Sequence, residues 1–95
     1  MKIAVFSTKT YDQEYFERYN EEFGYSFSFY ETALNKDTAK LATDCDVVCV
    51  FVNDIVNKET INILKTNGVN LIALRCAGYN NVDLDAAAKE NIKVV

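Results

Sequence analysis

Between Val47 and Val52 the chain reads Val-Val-Cys-Val-Phe-Val, an apolar run without a polar break. A strand with one wet face alternates apolar and polar residues. An unbroken run is what a strand buried on both faces requires, and such strands belong to parallel sheets covered by helices on either side. The flanking sequence supplies those layers in alternation. Lys2 to Phe6 reads as a strand. Thr10 opens a helix, with Gln13 at capping-box spacing, and Tyr11, Tyr15, Phe16, Tyr19 and Phe23 recur at helical intervals along it. Those aromatics are expected to pack against the body of the protein, and Gly24 is expected to end the helix. Tyr25 to Tyr30 alternates as a second strand, and Asp37 to Thr43 reads as a short helix. After the central run, Asn57 caps a helix that continues through Asn67 to a stop at Gly68. Leu71 to Leu74 is a fourth strand, Asp83 caps a helix from Leu84 to Glu90, and Ile92 to Val95 begins a fifth strand.

Strand and helix in strict alternation predict an α/β fold with a parallel sheet and crossover helices. Five strands suggest the flavodoxin-like order 2-1-3-4-5, with helices on both faces. Right-handed crossovers then put the first helix alone on one face and the later helices on the other. With only one helix over them, the central strands Val47 to Val52 and Leu71 to Leu74 are expected to show apolar side chains to solvent, and an uncovered face calls for a partner. A homo-oligomer is therefore expected, the face being covered by dimerising, swapping elements or opening the end strand.

Composition narrows the function classes. At 95 residues the chain holds one domain. A net charge of −4 argues against a nucleic-acid partner, which would meet a basic face. No apolar run approaches the length of a membrane span, and the first residues do not form a signal peptide. There is no histidine, so this chain alone builds no Ser-His-Asp, Cys-His or His-metal site. The cysteines Cys45, Cys49 and Cys76 fit no zinc pattern, and an odd number without a secretion signal reads as reduced cytoplasmic thiols. No metal is expected.

In doubly wound sheets ligands bind beyond the carboxyl ends of the strands. Those ends carry Ser7-Thr8-Lys9, Val52-Asn53-Asp54 and Arg75-Cys76-Ala77-Gly78-Tyr79. The last is the densest feature. Backbone N–H groups in such a strand-to-helix loop can hold a carboxylate or phosphate, and Gly78 lets a ligand come close. The same residues also fit a plain turn in which Asn and Asp only cap. Arg75 either adds charge to a site or pairs with a nearby acid. Ser7-Thr8-Lys9-Thr10 lacks the glycine of a phosphate loop and reads as a turn and cap. Cys76 is either a reactive thiol or, as we read it, a small packed side chain.

The run Leu74-Arg75-Cys76-Ala77-Gly78-Tyr79-Asn80-Asn81-Val82-Asp83-Leu84-Asp85-Ala86-Ala87 resembles the corresponding loop of the NAD-dependent D-2-hydroxyacid dehydrogenases. Met1 to Lys9, Asp12 and Phe51-Val52-Asn53-Asp54 are similar too, so the resemblance spans the chain. Within that family it is most similar to the branch that reduces pyruvate to D-lactate in fermenting bacteria. The resemblance implies a two-domain enzyme of which residues 1–95 form the N-terminal part of the substrate-binding domain, with the NAD-binding Rossmann domain absent from this chain. It implies that backbone N–H groups at Ala77 and Gly78 hold the substrate carboxylate, that Phe51 lies near the substrate's own side chain, and that Cys76 and Tyr79 flank the carboxylate. It assigns no charge role to Arg75, which holds the loop in place. The catalytic arginine, glutamate and histidine of the family lie elsewhere, so no catalytic residue is expected here.

The expected partner is accordingly a small 2-keto or 2-hydroxy acid. NAD belongs to the parent enzyme, and this chain alone is expected to bind no cofactor and to be inactive. The alternative is a stand-alone flavodoxin-like binding or regulatory module without catalysis.

Overall fold

The computed structural model describes residues 1–75 and 81–95, apart from the side chains of Tyr19, Glu21, Glu22 and Phe23. Its elements follow in the order β1 (Lys2–Val5), α1 (Thr10–Phe23), β2 (Ser26–Phe29), a 3₁₀ turn (Ala39–Ala42), β3 (Val47–Val50), α2 (Lys58–Thr66), β4 (Leu71–Leu74), α3 (Leu84–Lys89) and β5 (Lys93–Val94). The strands form one parallel sheet in the order β2-β1-β3-β4-β5, as the alternation predicts.

Register sorts the side chains into two rows. Phe27, Ile3, Val47 and Leu71 stand side by side on one face, as do Phe29, Val5, Cys49 and Ala73. The intervening residues Ala4, Val48, Val50 and Ile72 point to the other face. There they join Ala39, Ala42, Ile61, Leu64, Ala86 and Ala87 in the main core, so the 3₁₀ turn, α2 and α3 cover that side. The first face has α1 over its β2 edge, where the Phe16 ring lies 5.6 Å from Phe27 and 6.2 Å from Phe29. Helices thus cover both faces, divided as expected.

Local chemistry explains the helix ends. Asn57 Oδ1 accepts from the Thr60 N–H at 3.1 Å, and Asp83 Oδ1 accepts from the Ala86 N–H at 3.0 Å. Each satisfies a first-turn donor that has no partner within its helix. Gly24 closes α1 in the left-handed region, its N–H donating to the Asn20 carbonyl at 2.8 Å.

Several expectations need correction. The cap of α1 is Lys9, not Thr10: Asp12 Oδ2 accepts from the Lys9 N–H at 2.9 Å, and Gln13 instead donates along the helix to Glu17. Tyr11 and Tyr15 are 69% and 60% exposed, so among the described residues of the aromatic stripe only Phe16 packs inward. Tyr19 and Phe23, expected in the same stripe, lie outside the described side chains. The stretch from Asp37 to Thr43 tightens into a 3₁₀ turn. β3 ends at Val50, leaving Phe51 and Val52 exposed in a turn. Val47 and Cys49 are buried rather than open to solvent, while Leu71 and Ala73 are half-buried. What remains open on this face is a narrower apolar groove of about 240 Å³ between α1 and the sheet.

Candidate functional site

The carboxyl ends of β1 and β3 and the residue after β4 meet at one edge of the sheet, over a cleft of about 390 Å³. From β1 come Ser7, Thr8 and Lys9; from the start of α1, Tyr11 and Asp12; from the turn after β3, Phe51 and Asn53; after β4, Arg75. Glu31 and Ala33 close the side next to β2. Cations at Lys9 and Arg75 thus share the cleft with acids at Asp12 and Glu31.

Arg75 leaves β4 and turns back across the edge. Its N–H donates to the Val50 carbonyl at 2.9 Å, which continues the β3–β4 ladder by one residue. Its guanidinium donates through Nη2 to the Phe6 carbonyl and through Nη1 to Asp12 Oδ2 at 3.4 Å, and its Cζ lies 5.3 Å from the centre of the Phe51 ring. Arg75 Nε is buried without a hydrogen-bond partner among the described residues. Of the two roles open in the sequence, pairing with an acid is the one observed. The partner, Asp12, is 63 positions away and has no local signature.

A second node was not legible in the sequence. Asp54 is fully buried, and its carboxylate accepts three hydrogen bonds from three different connections. The Ser7 hydroxyl donates to Oδ1 at 2.6 Å, the Leu34 N–H to Oδ1 at 2.7 Å and the Phe51 N–H to Oδ2 at 2.6 Å. Ser7 adopts a φ of 55°, unusual for a side chain other than glycine, and its N–H is held by the Thr32 carbonyl at 2.9 Å. The segment after β4 is tied to the same node. Asn81 Nδ2 donates to the carbonyls of Phe51 at 2.9 Å and Asp54 at 3.0 Å, and Val56 and Val82 form a parallel bridge beside it. The only hint in the sequence is compositional: Asn53-Asp54 after an apolar strand signals a turn.

Of the residues proposed from the sequence, Phe51 lies at the cleft, 38% exposed, with its backbone fixed at both N–H and carbonyl. Cys76, Ala77, Gly78 and Tyr79 lie outside the described residues. Cys49 sits beneath the edge. Burial pushes its thiol up to about 11, against a smaller opposing pull from the Arg75 guanidinium. Cys45 is likewise raised, chiefly by burial. Neither has the depressed pKa of a nucleophile. Among the described residues no cluster of His, Cys, Asp or Glu could hold a metal ion, and no helix is long and apolar enough to cross a membrane.

The sequence carries no glycine-rich dinucleotide fingerprint. Its glycines are Gly24, Gly68 and Gly78, too far apart for a dinucleotide fingerprint, and the first two occupy helix C-termini with φ of 69° and 98°. The charges that line the cleft balance, Lys9 and Arg75 against Asp12 and Glu31, with the Phe51 ring beside the Arg75 guanidinium.

Comparison with known proteins gives a consistent result. A family model described as "D-isomer specific 2-hydroxyacid dehydrogenase, catalytic domain" matches residues 3–95. A 2-hydroxyacid dehydrogenase homologue of Zymomonas mobilis is 54% identical over the whole chain, and the D-lactate dehydrogenase of Escherichia coli is 52% identical over the same span. The apo-structure of the Escherichia coli enzyme superimposes with a TM-score of 0.97, covering all of this chain and 30% of that one. An NAD-complexed D-isomer specific 2-hydroxyacid dehydrogenase of Lactobacillus delbrueckii, 26% identical, superimposes at 0.90 and is covered to 29%. The chain spans 29% of the length of the two curated relatives.

Proposed function

The chain belongs to the D-isomer specific 2-hydroxyacid dehydrogenase family, and on that premise we propose that it is the N-terminal part of the substrate-binding domain of a D-lactate dehydrogenase. The parent enzyme reduces pyruvate to D-lactate, and its Rossmann domain, outside this chain, binds the nicotinamide cofactor, whose reduced form, NADH, would supply the hydride. The observation that carries this reading is the identity of 52% with the Escherichia coli D-lactate dehydrogenase along the entire chain. The cleft at the strand ends supports it, because it pairs an aromatic wall with a positioned loop origin at Arg75.

The work of this segment is binding and orientation. The backbone N–H groups of Ala77 and Gly78 hold the substrate carboxylate, with Cys76 and Tyr79 at its flanks. Arg75 fixes where that loop leaves the sheet, its own charge already engaged by Asp12 and the Phe6 carbonyl. Phe51 faces the substrate's methyl group and excludes water from it. Orientation of this kind lowers the barrier by pre-arranging the reacting carbon, and a misplaced wall raises it. The proton donor is assigned to the rest of the parent enzyme, since this chain has no histidine. The protein is cytoplasmic, in keeping with its free thiols at Cys45 and Cys49, and homo-oligomeric.

The test is turnover. The two-domain protein that carries this chain is expected to oxidise NADH with pyruvate, whereas residues 1–95 alone show neither NADH binding nor turnover. In the two-domain protein Gly78→Val raises the KM for pyruvate at least about tenfold with little change in NADH affinity, because a β-branched side chain obstructs the carboxylate loop. Unaltered pyruvate kinetics in that variant overturn the carboxylate assignment, and failure of the parent protein to oxidise NADH with pyruvate overturns the function.

A further inference from the structure

We infer that Asp54 and Asn81 are specificity-determining positioning residues, which set how large a 2-keto acid the enzyme accepts by fixing the backbone of Phe51 from both sides. The inference rests on the reading of Phe51 as the wall beside the substrate's side chain.

Phe51 is the first residue past the end of β3. Nothing in the sheet ladder holds it, and its ring is partly exposed, so neither pairing nor packing alone fixes its direction. Its N–H is instead claimed by a side chain of the same turn, and its carbonyl is shared between that turn and a side chain from beyond β4. The N–H donates to Asp54 Oδ2 at 2.6 Å, and the carbonyl accepts from Asn81 Nδ2 at 2.9 Å and from the Asp54 N–H at 3.1 Å. With both ends of the residue clamped, the Cα–Cβ direction is set and the ring is aimed at the cleft, beside the Arg75 guanidinium. Asp54 has no exposure and does not line the cleft, so it acts on a ligand through Phe51 and the connections it ties. Its Oδ1 accepts from Ser7, which lines the cleft, and from Leu34, so the same carboxylate ties Phe51 to a second lining residue.

Asp54→Asn retains the shape but leaves one oxygen where there were two. With the amide oxygen kept by Ser7 and Leu34, its NH₂ faces the Phe51 N–H, donor against donor, and the clamp on Phe51 opens. Asn81→Ala loosens the carbonyl side by an independent route, leaving only the turn bond from the Asp54 N–H, at a half-buried position that keeps the three contacts of the Asp54 carboxylate in place.

The experiment compares kcat/KM for pyruvate with that for a 2-keto acid carrying a longer branched side chain, using the two-domain protein. Phe51→Ala is expected to relax the preference for pyruvate by about tenfold or more, the scale on which pocket walls discriminate. Asp54→Asn and Asn81→Ala are each expected to relax it severalfold in the same direction, through KM more than kcat and with NADH affinity unchanged. In the Phe51→Ala background neither should relax it further. If Phe51→Ala shifts the preference but Asp54→Asn and Asn81→Ala do not, the inference is wrong while the reading of Phe51 stands. An undiminished effect of either variant in the Phe51→Ala background also overturns the inference. If Phe51→Ala itself leaves the preference unchanged, the reading of Phe51 fails, and the inference with it. Should Asp54→Asn fail to fold, Asn81→Ala alone decides.

Discussion

Replacing Arg75 by methionine tests how the edge of the sheet is held together. Methionine keeps much of the length and apolar bulk and removes every donor. Three contacts go. The hydrogen bond to the Phe6 carbonyl is charge-assisted and contributes about 1.5–3 kcal/mol. The Asp12 pair, with side chains 15% and 22% exposed and an N–O separation of 3.4 Å, is long and partly wet, and contributes no more than about 1 kcal/mol. The approach to the half-open Phe51 ring adds about 0.5–1 kcal/mol. Against these stands the buried Nε, which has no hydrogen-bond partner among the described residues and whose desolvation costs about 1–3 kcal/mol in the native protein and vanishes in the variant. Asp12 keeps the Lys9 N–H and is not orphaned. The balance is a loss of about 1–2 kcal/mol, equivalent to a Tm lower by roughly 5–15 °C for a domain of this size. Urea unfolding of the isolated chain, followed by far-ultraviolet circular dichroism, measures it. Arg75→Lys should lose nearly as much, because an ammonium cannot reach Phe6 and Asp12 together as the planar fork does. A methionine variant within about 0.5 kcal/mol of the native chain would mean that the cluster is an accident of the edge, and an Arg75→Lys variant as stable as the native chain would reduce the fork to a point charge.

Two further outcomes follow from burial. Cys49 binds its proton more tightly folded than unfolded, its pKa raised from 9.0 to about 11, so the stability it confers is complete below pH 9 and is lost as pH climbs towards 11. The decline has a limiting slope of about 1.4 kcal/mol per pH unit. Denaturation midpoints between those pH values should therefore flatten in Cys49→Ala, and equal slopes in the two proteins would refute the assignment. The groove between α1 and the sheet, lined by Ile3, Phe16, Phe27, Val47, Cys49 and Ala73, should make residues 1–95 bind apolar dyes and pair with a second copy at micromolar concentration. A monomer in sedimentation that binds no dye would contradict this.

What could be read from the sequence was local or periodic. The caps at Asn57 and Asp83 and the stop at Gly24 are settled within a few residues of themselves, by donors that a neighbouring side chain must satisfy. The strand order follows from the alternation of elements. α1 starts at Thr10 as read, but its cap lies one position earlier, because the reciprocal bond runs from the Lys9 N–H to Asp12 rather than between Thr10 and Gln13. Asp12 prevailed because its carboxylate also meets Arg75. The aromatic stripe of α1 was taken as a buried surface, yet periodicity shows only which residues share a side and not whether anything lies opposite. Tyr11 and Tyr15 therefore came out exposed. The Asp54 node was invisible because its donors, Ser7, Leu34 and Phe51, are brought together only by the strand order, and no short motif records such a meeting.

That strand order also bears on synthesis. β1 is made first, yet it lies inside the sheet, between β2 and β3. Its contact with the second neighbour joins residues as far apart as Lys2 and Asp46, 44 positions along the chain. A nascent chain that has left the ribosome only as far as Asn35 therefore carries a completed β1–α1–β2 unit whose apolar row, Ala4 and Phe6, has no Val48 or Val50 to meet. The barrier to assembly lies in that long closure, since loop entropy is spent before the contact repays it. Until β3 emerges, the apolar row of Ala4 and Phe6 has no neighbouring strand on that side to meet.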